Sequence, residues 1–413
     1  MTVSGSRLRI VVSGLAGLHP LGGVAWDYLQ YVIGLHRLGH DVHYFEDTQC
    51  WPYDPVRQMP VDTPDYSARF IGDFFRRFAP ALADRWAYVH LNDRVCGMSR
   101  AAIDEVLRSA DLFVNVSGAN ALPEELGPRC VKVFVDTDPG YNQIVMVERP
   151  AWSDKVDRWC DGIARHDHHF TYAENIGGAD CTIPDTGLRW RTTRMPIVTD
   201  LWRDIADRSP AHDAPWTTVM TWNAFKGPLR HRGVEYGSKG AEFEKIVDLP
   251  RCTRVPLTLA LGGFAAPHER LAAAGWNVIL GPQATSTPDA YRDFIAGSRG
   301  EVSIAKQVYV ALRTGWFSCR TACYLAAGRP AVVQDTGFGT RLPVGDGLLA
   351  FDDLDGLIAA IDRVETDPVR HRCAAVEFAR EHFDADRVLR RFVADCFDDG
   401  GVDDAAAAGG LPC

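Results

Sequence analysis

Residues 8–45 read LRIVVSGLAGLHPLGGVAWDYLQYVIGLHRLGHDVHYF, which indicates a strand, a glycine-rich loop, a helix and a second strand. Residues 8–12 form an apolar run, and the loop after them, residues 13–23, contains four glycines. Apolar residues then recur on one helical stripe from Val24 to Leu38, and Gly39 stands where a helix stop belongs. Residues 41–45 predict the next strand. This order is typical of a parallel α/β sheet.

The same alternation continues along the chain. In the first half we predict further strands at 112–116, 131–135 and 169–172. A second series supplies predicted strands at 217–221, 257–261, 277–280, 302–305 and 331–334, and predicted helices at 357–364 and 369–383. Because ligands of open parallel sheets bind outside the carboxyl ends of the strands, the loops at those ends are the candidate binding regions.

The pattern lapses between the two series, where the sequence is polar and rich in Asp, Arg and Pro. We therefore predict an N-terminal domain of residues 1–205, a linker of residues 206–216 and a C-terminal domain of residues 217–397. Residues 398–413 are mostly Gly, Ala and Asp, which predicts a disordered tail.

Composition excludes several classes of protein. The chain has 413 residues, a net charge of −10 and a pI near 5.7, which argues against a general nucleic-acid binder. It starts without the features of a signal peptide, and no apolar run approaches the ~20 residues that span a bilayer. We expect a cytoplasmic protein without membrane insertion, and a homodimer is compatible with the sequence. The 11 cysteines lack Cys-x-x-Cys spacing, so they predict neither a disulfide framework nor a zinc site.

Two segments of the sequence resemble GT-B glycosyltransferases. The segment GVAWDYLQYVIGLHRLGHDV, from Gly23, is similar to their first strand-helix unit, in which a Gly-Gly loop precedes a helix that ends in Leu-Gly-His-x-Val. The segment AAGRPAVV, residues 326–333, is similar to the Ala-Ala-Gly-x-Pro-Val-Val segment near their donor site. The paired resemblance covers the chain from Arg9 to about Phe392.

The resemblance implies a fold, a reaction and a cosubstrate. The fold is GT-B, an α/β architecture of two Rossmann-like domains that face each other across a cleft. The reaction is the transfer of a sugar to a small-molecule acceptor, such as a natural product, without a metal. The cosubstrate is a nucleotide diphosphate sugar (a UDP-, GDP- or dTDP-sugar), and no tightly bound cofactor is implied. Acceptor binding is expected in the first domain and donor binding in the second.

The donor site is predicted mainly in the second domain. Ser318 stands where a helix begins, and the free N–H groups and the dipole of a first turn favour an anion such as a pyrophosphate. Lys226 ends the first strand of that domain, where similar transferases place a basic residue against the phosphates. The alternative is structural, with Ser318 as a helix cap and the arginines solvated. The predicted donor-binding residues are Gly22, Gly23, Lys226, Arg313, Gly315, Ser318, Arg320, Thr321, Asp335, Thr336 and Gly337.

One departure from the family pattern concerns the ribose. Retaining GT-B enzymes of the sucrose-synthase-like group carry two glutamates seven residues apart before the Ala-Gly-x-Pro segment. An ungapped alignment puts Trp316 and Cys323 at those positions. The stereochemical outcome is therefore not implied. Glu301 is a candidate for the ribose contact, and a solvated carboxylate is the alternative.

Catalytic candidates come from the predicted acceptor domain. His19 lies in the glycine loop, near the position of the catalytic histidine of inverting GT-B enzymes. The alternative is a loop histidine packed on Pro20. Residues 166–169 form a His-Asp-His-His cluster from which we select His169, although alternation along a strand separates these histidines and argues against a metal site. Glu174 follows the strand and is expected to face the cleft.

An Asp-x-Asp motif, Asp136 and Asp138, ends another predicted strand. Metal-dependent GT-A transferases and dehalogenase-like phosphatases use such pairs, but neither class explains a second α/β domain. We select Asp136 as a catalytic candidate and Asp138 as an acceptor contact, and a simple turn remains the alternative.

The acceptor is expected to contact aromatic side chains. The segment 44–66 is rich in aromatic residues and prolines, which predicts an ordered loop over the first domain's cleft. The predicted acceptor-binding residues are Trp51, Tyr53, Asp138 and Asn175.

Two other functions remain open from the sequence. Nucleotide-sugar 2-epimerases share this fold, but they are expected to carry acid-base carboxylates where this chain offers histidines. A nucleotide-sugar-binding protein without catalysis is the second alternative, because the glutamate pair is missing.

Overall fold

Two open sheets organise the chain, one in its first half and one in its second. The computed structural model describes residues 7–224, 227–263 and 265–398. Within those ranges, no helix combines the length and the apolar character that a bilayer crossing needs.

The first half contains ten strands and six α-helices from residue 7 onward. The strands are β1 (Arg9–Ser13), β2 (Asp41–Glu46), β3 (Tyr53–Asp54), β4 (Met59–Pro60), β5 (Trp86–Val89), β6 (Val95–Gly97), β7 (Leu112–Val116), β8 (Val131–Asp136), β9 (His168–Thr171) and β10 (Trp190–Thr192). The helices are α1 (Gly22–Arg37), α2 (Asp65–Phe78), α3 (Arg100–Arg108), α4 (Tyr141–Glu148), α5 (Lys155–Ala164) and α6 (Arg203–Ala206). Short 3₁₀ turns span Pro80–Leu82 and Thr199–Trp202.

The second half contains eight strands and ten α-helices within the described residues. The strands are β11 (Trp216–Thr221), β12 (Leu229–His231), β13 (Val234–Tyr236), β14 (Leu257–Gly262), β15 (Asn277–Leu280), β16 (Gly300–Ser303), β17 (Ala331–Gln334) and β18 (Leu348–Phe351). The helices are α7 (Lys239–Phe243), α8 (Leu249–Cys252), α9 (His268–Ala273), α10 (Gly281–Thr285), α11 (Pro288–Ala296), α12 (Gln307–Ala311), α13 (Cys319–Ala326), α14 (Leu354–Thr366), α15 (Pro368–His382) and α16 (Ala385–Cys396). Further 3₁₀ turns span Glu244–Ile246 and Phe338–Thr340.

Both sheets have the parallel topology that the sequence predicts. The first has the order β10-β9-β8-β7-β1-β2-β5-β6 and is parallel except for the β5-β6 pair. The second has the order β15-β14-β11-β16-β17-β18 and is parallel throughout. All five residues of β7 and all four of β17 are buried, as expected where helices cover both faces of a sheet.

Most of the predicted strands are confirmed, with small shifts at their ends. Strands β7, β15 and β17 match the predicted ranges, whereas β16 begins two residues before the predicted start. Strands β5 and β18 have no counterpart in the prediction, because each is a four-residue apolar run that a helix could equally contain. The predicted tail, 398–413, lies outside the described residues apart from Asp398.

The last helix returns to the first sheet's helical layer. In α16, the Phe392 ring lies 4.8 Å from the ring of Phe170 in β9 and 6.3 Å from that of Tyr31 in α1, measured between centroids. Residues of both halves therefore share one buried apolar cluster. The domain boundaries given above stay predictions.

The N-terminus of α1 packs directly on the second half of the chain. The indole N–H of Trp26 donates to the carbonyl oxygen of Pro288, at the start of α11, at 3.1 Å. A Cβ at Gly22 would lie only 2.4 Å from the carbonyl oxygen of Thr287. The absence of a side chain at residue 22 therefore lets the two helix starts meet.

Gly22→Ala is expected to lower the free energy of unfolding by about 1–3 kcal/mol, the usual range for overpacking. The clash is with a backbone oxygen, which cannot rotate away. Gly162→Ala in α5 is the matched control, because its Cβ would meet nothing within 4 Å. Because alanine has a higher helix propensity than glycine, the free energy of unfolding of this control should rise by up to about 1 kcal/mol. Urea unfolding measures both variants, and equal effects would contradict the close contact.

Candidate active site

A cavity of about 770 Å³ lies between the two sheets, at the carboxyl ends of their strands. One wall comes from the loop after β1, the start of α1 and β3; the other comes from the ends of β11 and β14, from α10 and from the start of α13. Ligands of open α/β sheets bind at this position. The predicted site residues that line the cavity are His19, Gly23, Tyr53, Ser318 and Arg320.

Three cationic side chains, Lys239, Lys306 and Arg320, line the second-domain wall. Burial, with the nearby charges of Arg320 and Lys306 adding to it, lowers the pKa of Lys239 well below the usual value of a lysine. Such a group of desolvated positive charges is expected to attract an anion.

Arg320 is held in place by the second sheet. Its guanidinium donates to the carboxylate of Glu301, to the carbonyl oxygen of Val219 at 2.6 Å and to the hydroxyl of Ser303 at 2.7 Å. The Glu301 side chain is fully buried. Glu301 therefore balances the charge of Arg320, and the ribose contact suggested for Glu301 has no support in this geometry.

Lys306 makes its ion pair across the domains. Its ammonium group contacts the carboxylate of Asp138, in the turn after β8, and the hydroxyl of Tyr309 donates to the same carboxylate. Asp138, predicted as an acceptor contact, thus ties the two domains together beside the cavity.

Helix α13 begins at the cavity, as the sequence predicts. Ser318 is its N-cap residue with extended backbone, and the Ser318 side chain makes no capping hydrogen bond. The first-turn N–H groups of a helix have no partner within the helix, and the helix dipole adds positive potential there. Since Ser318, Cys319 and Arg320 all line the cavity, this end of α13 adds to the attraction for an anion.

A carboxyl group faces the cations from the first domain. Asp27 of α1 lines the cavity together with Cys319, whose thiol donates to the carbonyl oxygen of Trp26 at 3.8 Å. Burial raises the pKa of Asp27 to about 6. Asp27 thus ionises near neutral pH, as an acid-base group would.

The loop that carries His19 is anchored by Glu46. Its carboxylate accepts the backbone N–H groups of Gly17 at 2.7 Å and Leu18 at 2.5 Å, and the hydroxyl of Tyr44 at 2.5 Å. Burial raises the pKa of Glu46 to about 7. The exposed His19 is thereby placed at the cavity.

Comparison with solved structures gives the fold. An α-glucosyltransferase in complex with UDP and a mismatched 13-mer DNA is 12% identical, with a TM-score of 0.59 over 94% of this chain and 99% of that chain. HepE from Anabaena, in complex with UDP and glucose, is 10% identical, with a TM-score of 0.52 over 94% of this chain and 99% of that chain. Sucrose-phosphate synthase from Thermosynechococcus elongatus is 12% identical, with a TM-score of 0.50 over 93% of this chain and 97% of that chain.

The chain has the GT-B fold. This confirms the fold class predicted from the sequence. The sequence matches no protein-family model and no curated protein.

Several of the predicted donor residues form a contact between the domains of this GT-B fold. The side chain amide of Asn175 donates to the carbonyl oxygens of Gly337 at 2.9 Å and Arg313 at 3.2 Å. Gly315 and Gly337 have φ values of +74° and +87°, and a Cβ at either would lie 2.7 Å from Asn175 side-chain atoms. These two glycines therefore admit the Asn175 side chain, and they do not line the cavity.

The other members of that predicted set pack nearby. Arg313 lies 3.7 Å from the Asp335 carboxylate, and Asp335 accepts the backbone N–H of Gly337 at 2.7 Å. The Thr336 carbonyl accepts the N–H of Gly315 at 2.8 Å. Thr321 is fully buried, with its hydroxyl donating to Ser303. None of these four side chains lines the cavity, so a direct donor contact is not supported.

Three predicted catalytic residues lie away from the cavity. Asp136 is buried and accepts hydrogen bonds from Asn142, Gln143 and Thr171, which fix the turn after β8. His169 packs beside Trp190, and its Nε2 lies 2.9 Å from the carbonyl oxygen of Ile163. These positions correct both predicted roles, because neither side chain reaches the cavity.

Glu174 also has a structural partner. It forms two hydrogen bonds with the guanidinium of Arg194, at 2.6 and 2.7 Å. Trp51 does not line the cavity and is 55% exposed. Lys226 lies outside the described residues, and its donor role stays a prediction.

Three cavity residues escaped the sequence analysis: Asp27, Lys239 and Lys306. Asp27 sits one helical turn after Gly23 in the segment that carries the family resemblance, so periodicity could have placed it beside the glycines. Lys239 and Lys306 stand in no recognised motif, and only the folded chain brings them together. Among residues 7–224, 227–263 and 265–398, no three His, Cys, Asp or Glu side chains are grouped closely enough to hold a metal ion.

Glu301→Gln is expected to lower the free energy of unfolding by about 3–5 kcal/mol, because it leaves the buried guanidinium of Arg320 without its counter-charge. Glu244→Gln is the matched control, since the Glu244–Arg270 pair is about half exposed and should contribute less than about 1 kcal/mol. Urea unfolding measures both. A small effect at Glu301 would mean that Ser303 and Val219 suffice to hold Arg320.

Proposed function

We propose that this chain is a glycosyltransferase that moves a sugar from a nucleotide diphosphate sugar to a small-molecule acceptor without a metal ion. The observation that carries the proposal is Lys239, a desolvated lysine beside Arg320 and Lys306 in the cavity between two GT-B domains. Arg320 and Lys306 are each paired with a carboxylate. Lys239 has no ion pair among the described residues, so its amine is available to take up a proton and bind an anionic ligand.

A diphosphate fits this distribution of charge. The start of α13 offers backbone N–H groups, and Lys239 offers an ammonium group next to them. Charge-assisted hydrogen bonds to phosphate oxygens are about twice as strong as neutral ones. The same cations would stabilise the diphosphate as it leaves the sugar, which is the task that a divalent metal performs in metal-dependent transferases.

The donor is proposed by analogy with the structural neighbours. The α-glucosyltransferase was solved with UDP, and HepE with UDP and glucose. A uridine diphosphate sugar is therefore the first donor to test, followed by GDP- and dTDP-sugars.

A small-molecule acceptor is favoured over DNA. The α-glucosyltransferase structure contains DNA, but the present chain carries a net charge of −10, which opposes binding of a polyanion. Tyr53 and Gln58 of the first domain line the cavity and give the acceptor side an aromatic ring and an amide.

Isothermal titration with UDP, GDP, ADP and dTDP, each with and without Mg²⁺, tests the donor site. We expect one of them to bind without metal, and Lys239→Met to weaken that binding about tenfold to a hundredfold, the range for a lost charged hydrogen bond. Lys155→Met is the control, since Lys155 is exposed on α5.

The pH dependence provides a second readout. A lysine with a lowered pKa loses its charge at a lower pH than usual, so affinity should fall as the pH rises through that pKa. Binding should take up a proton, and Lys239→Met should abolish both effects. Binding that requires Mg²⁺, or no binding of any nucleotide, would contradict the proposal.

A further inference from the structure

Among the described residues, Asp27 is the only carboxylate that lines the cavity. It lies where α1 of the first domain meets the start of α13, and it lines the cavity together with Cys319 and Tyr172. One of its oxygens, Oδ1, is shielded from solvent and has no hydrogen-bond partner within the described part of the chain. Glu301 also has a buried oxygen without a partner, Oε2, but its carboxylate is paired with Arg320 and does not line the cavity, and Asp138 is paired with Lys306.

The cations Lys239, Lys306 and Arg320 line the same cavity as Asp27. Four other titratable groups interact with Asp27 and are neutral over the physiological range. They are Tyr28 and Tyr31 on its own helix, Tyr172 after β9 and Cys319 on α13. Burial raises the pKa of each of the three phenols, and in Cys319 a hydrogen bond to Cys323 and burial raise the pKa of the thiol. Asp27, whose pKa burial raises to about 6, is the member of this group that ionises near neutral pH.

The group that Asp27 would contact depends on the wall of the cavity opposite to it, which contains the start of α13. Cys319, which lines the cavity together with Asp27, is the first residue of α13 and adjoins Ser318, where the diphosphate is proposed to bind. The bond between the sugar and the diphosphate would then lie in the cavity that Asp27 lines. Because Asp27 belongs to the first domain, it faces that bond from the acceptor side.

We propose, on the basis of the proposed transferase function, that the Asp27 carboxylate removes the proton of the acceptor hydroxyl as its oxygen attacks the donor sugar. The bond from the acceptor oxygen to the anomeric carbon forms, and the bond from that carbon to the diphosphate oxygen breaks. The diphosphate leaves with the electron pair. The proton passes to Asp27 and then to solvent, so the carboxylate is regenerated.

His19 is the competing base. It also lines the cavity, but it is exposed, whereas Asp27 is partly buried and has an oxygen without a donor. A desolvated carboxylate is a stronger base than a solvated one. The test therefore compares Asp27→Asn with His19→Gln.

The first experiment measures turnover of the glucose conjugates of UDP, GDP, ADP and dTDP by release of the nucleoside diphosphate to water. Asp27→Asn should lower kcat by about a hundredfold to ten-thousandfold, as for loss of a general base. It should leave the Kd of the free nucleoside diphosphate within about twofold. The rise of the wild-type rate through about pH 6 should disappear in Asp27→Asn and persist in His19→Gln. Asp154→Asn, on an exposed pair with Arg158, is the control and should behave as wild type.

The second experiment needs no substrate. A carboxyl whose pKa is raised in the folded state destabilises that state at pH values above the raised pKa, and the effect vanishes near and below the unfolded value of about 3.9. Asp27→Asn should therefore raise the melting temperature at pH 7.5 and leave it nearly unchanged at pH 4. If Asp27 has a purely structural role, Asp27→Asn should lower the melting temperature at both pH values.

The outcomes separate this inference from the function on which it rests. Unchanged turnover in Asp27→Asn, or loss of the pH-dependent rise in His19→Gln alone, would overturn the role of Asp27 and leave the transferase proposal standing. Wild-type protein that binds none of the four diphosphates, or that binds one and turns over no conjugate, would overturn both. Conversion of the donor sugar to an epimer would also overturn both.

Discussion

The contact between the starts of α1 and α11 holds the two sheets in the arrangement on which the cavity depends. Gly22 brings the α1 backbone against Thr287, and the indole of Trp26 donates to Pro288 in the same place. Since α1 follows the carboxyl end of β1, this contact directs that end of the first sheet toward the second. A second contact, around Asn175, closes the interface near Gly337. Together with the Lys306–Asp138 ion pair, these contacts make the side chains discussed above face each other.

The charges in the cavity divide into a paired set and an unpaired set. Glu301 balances Arg320 and Asp138 balances Lys306, so those two cations carry little net charge toward a ligand. The dipole of α13 and, once it is protonated, Lys239 supply the remaining positive potential. Burial favours the neutral form of Lys239 in the free protein, and a bound anion favours its charged form. The binding energy of a diphosphate would therefore offset the cost of protonating Lys239.

The sequence predicted the fold because the fold rests on local patterns. The apolar runs and the helical stripe of α1 follow from periodicity, and the start of α13 at Ser318 follows from the residues before it. The site was predicted less well. A glycine indicates that another group approaches the backbone closely, but it does not show which group that is. At Gly315 and Gly337 that group is Asn175, which lies more than 130 residues away in the chain. Lys239 was missed for a similar reason. Its role depends on its burial and on its neighbours in the fold, and no sequence motif shows either of them.

The roles proposed for the two walls of the cavity depend on each other. Burial shifts the pKa of Lys239 down and that of Asp27 up, so in the free protein both shifts favour the neutral forms. A bound diphosphate favours the charged form of the lysine, but alone it would oppose ionisation of a nearby carboxyl. Asp27 can act as a base beside an anionic donor only if positive charge offsets the phosphates. The ammonium of Lys239 and the dipole of α13 are that offset, so the cation that would bind the donor would also keep Asp27 able to take a proton.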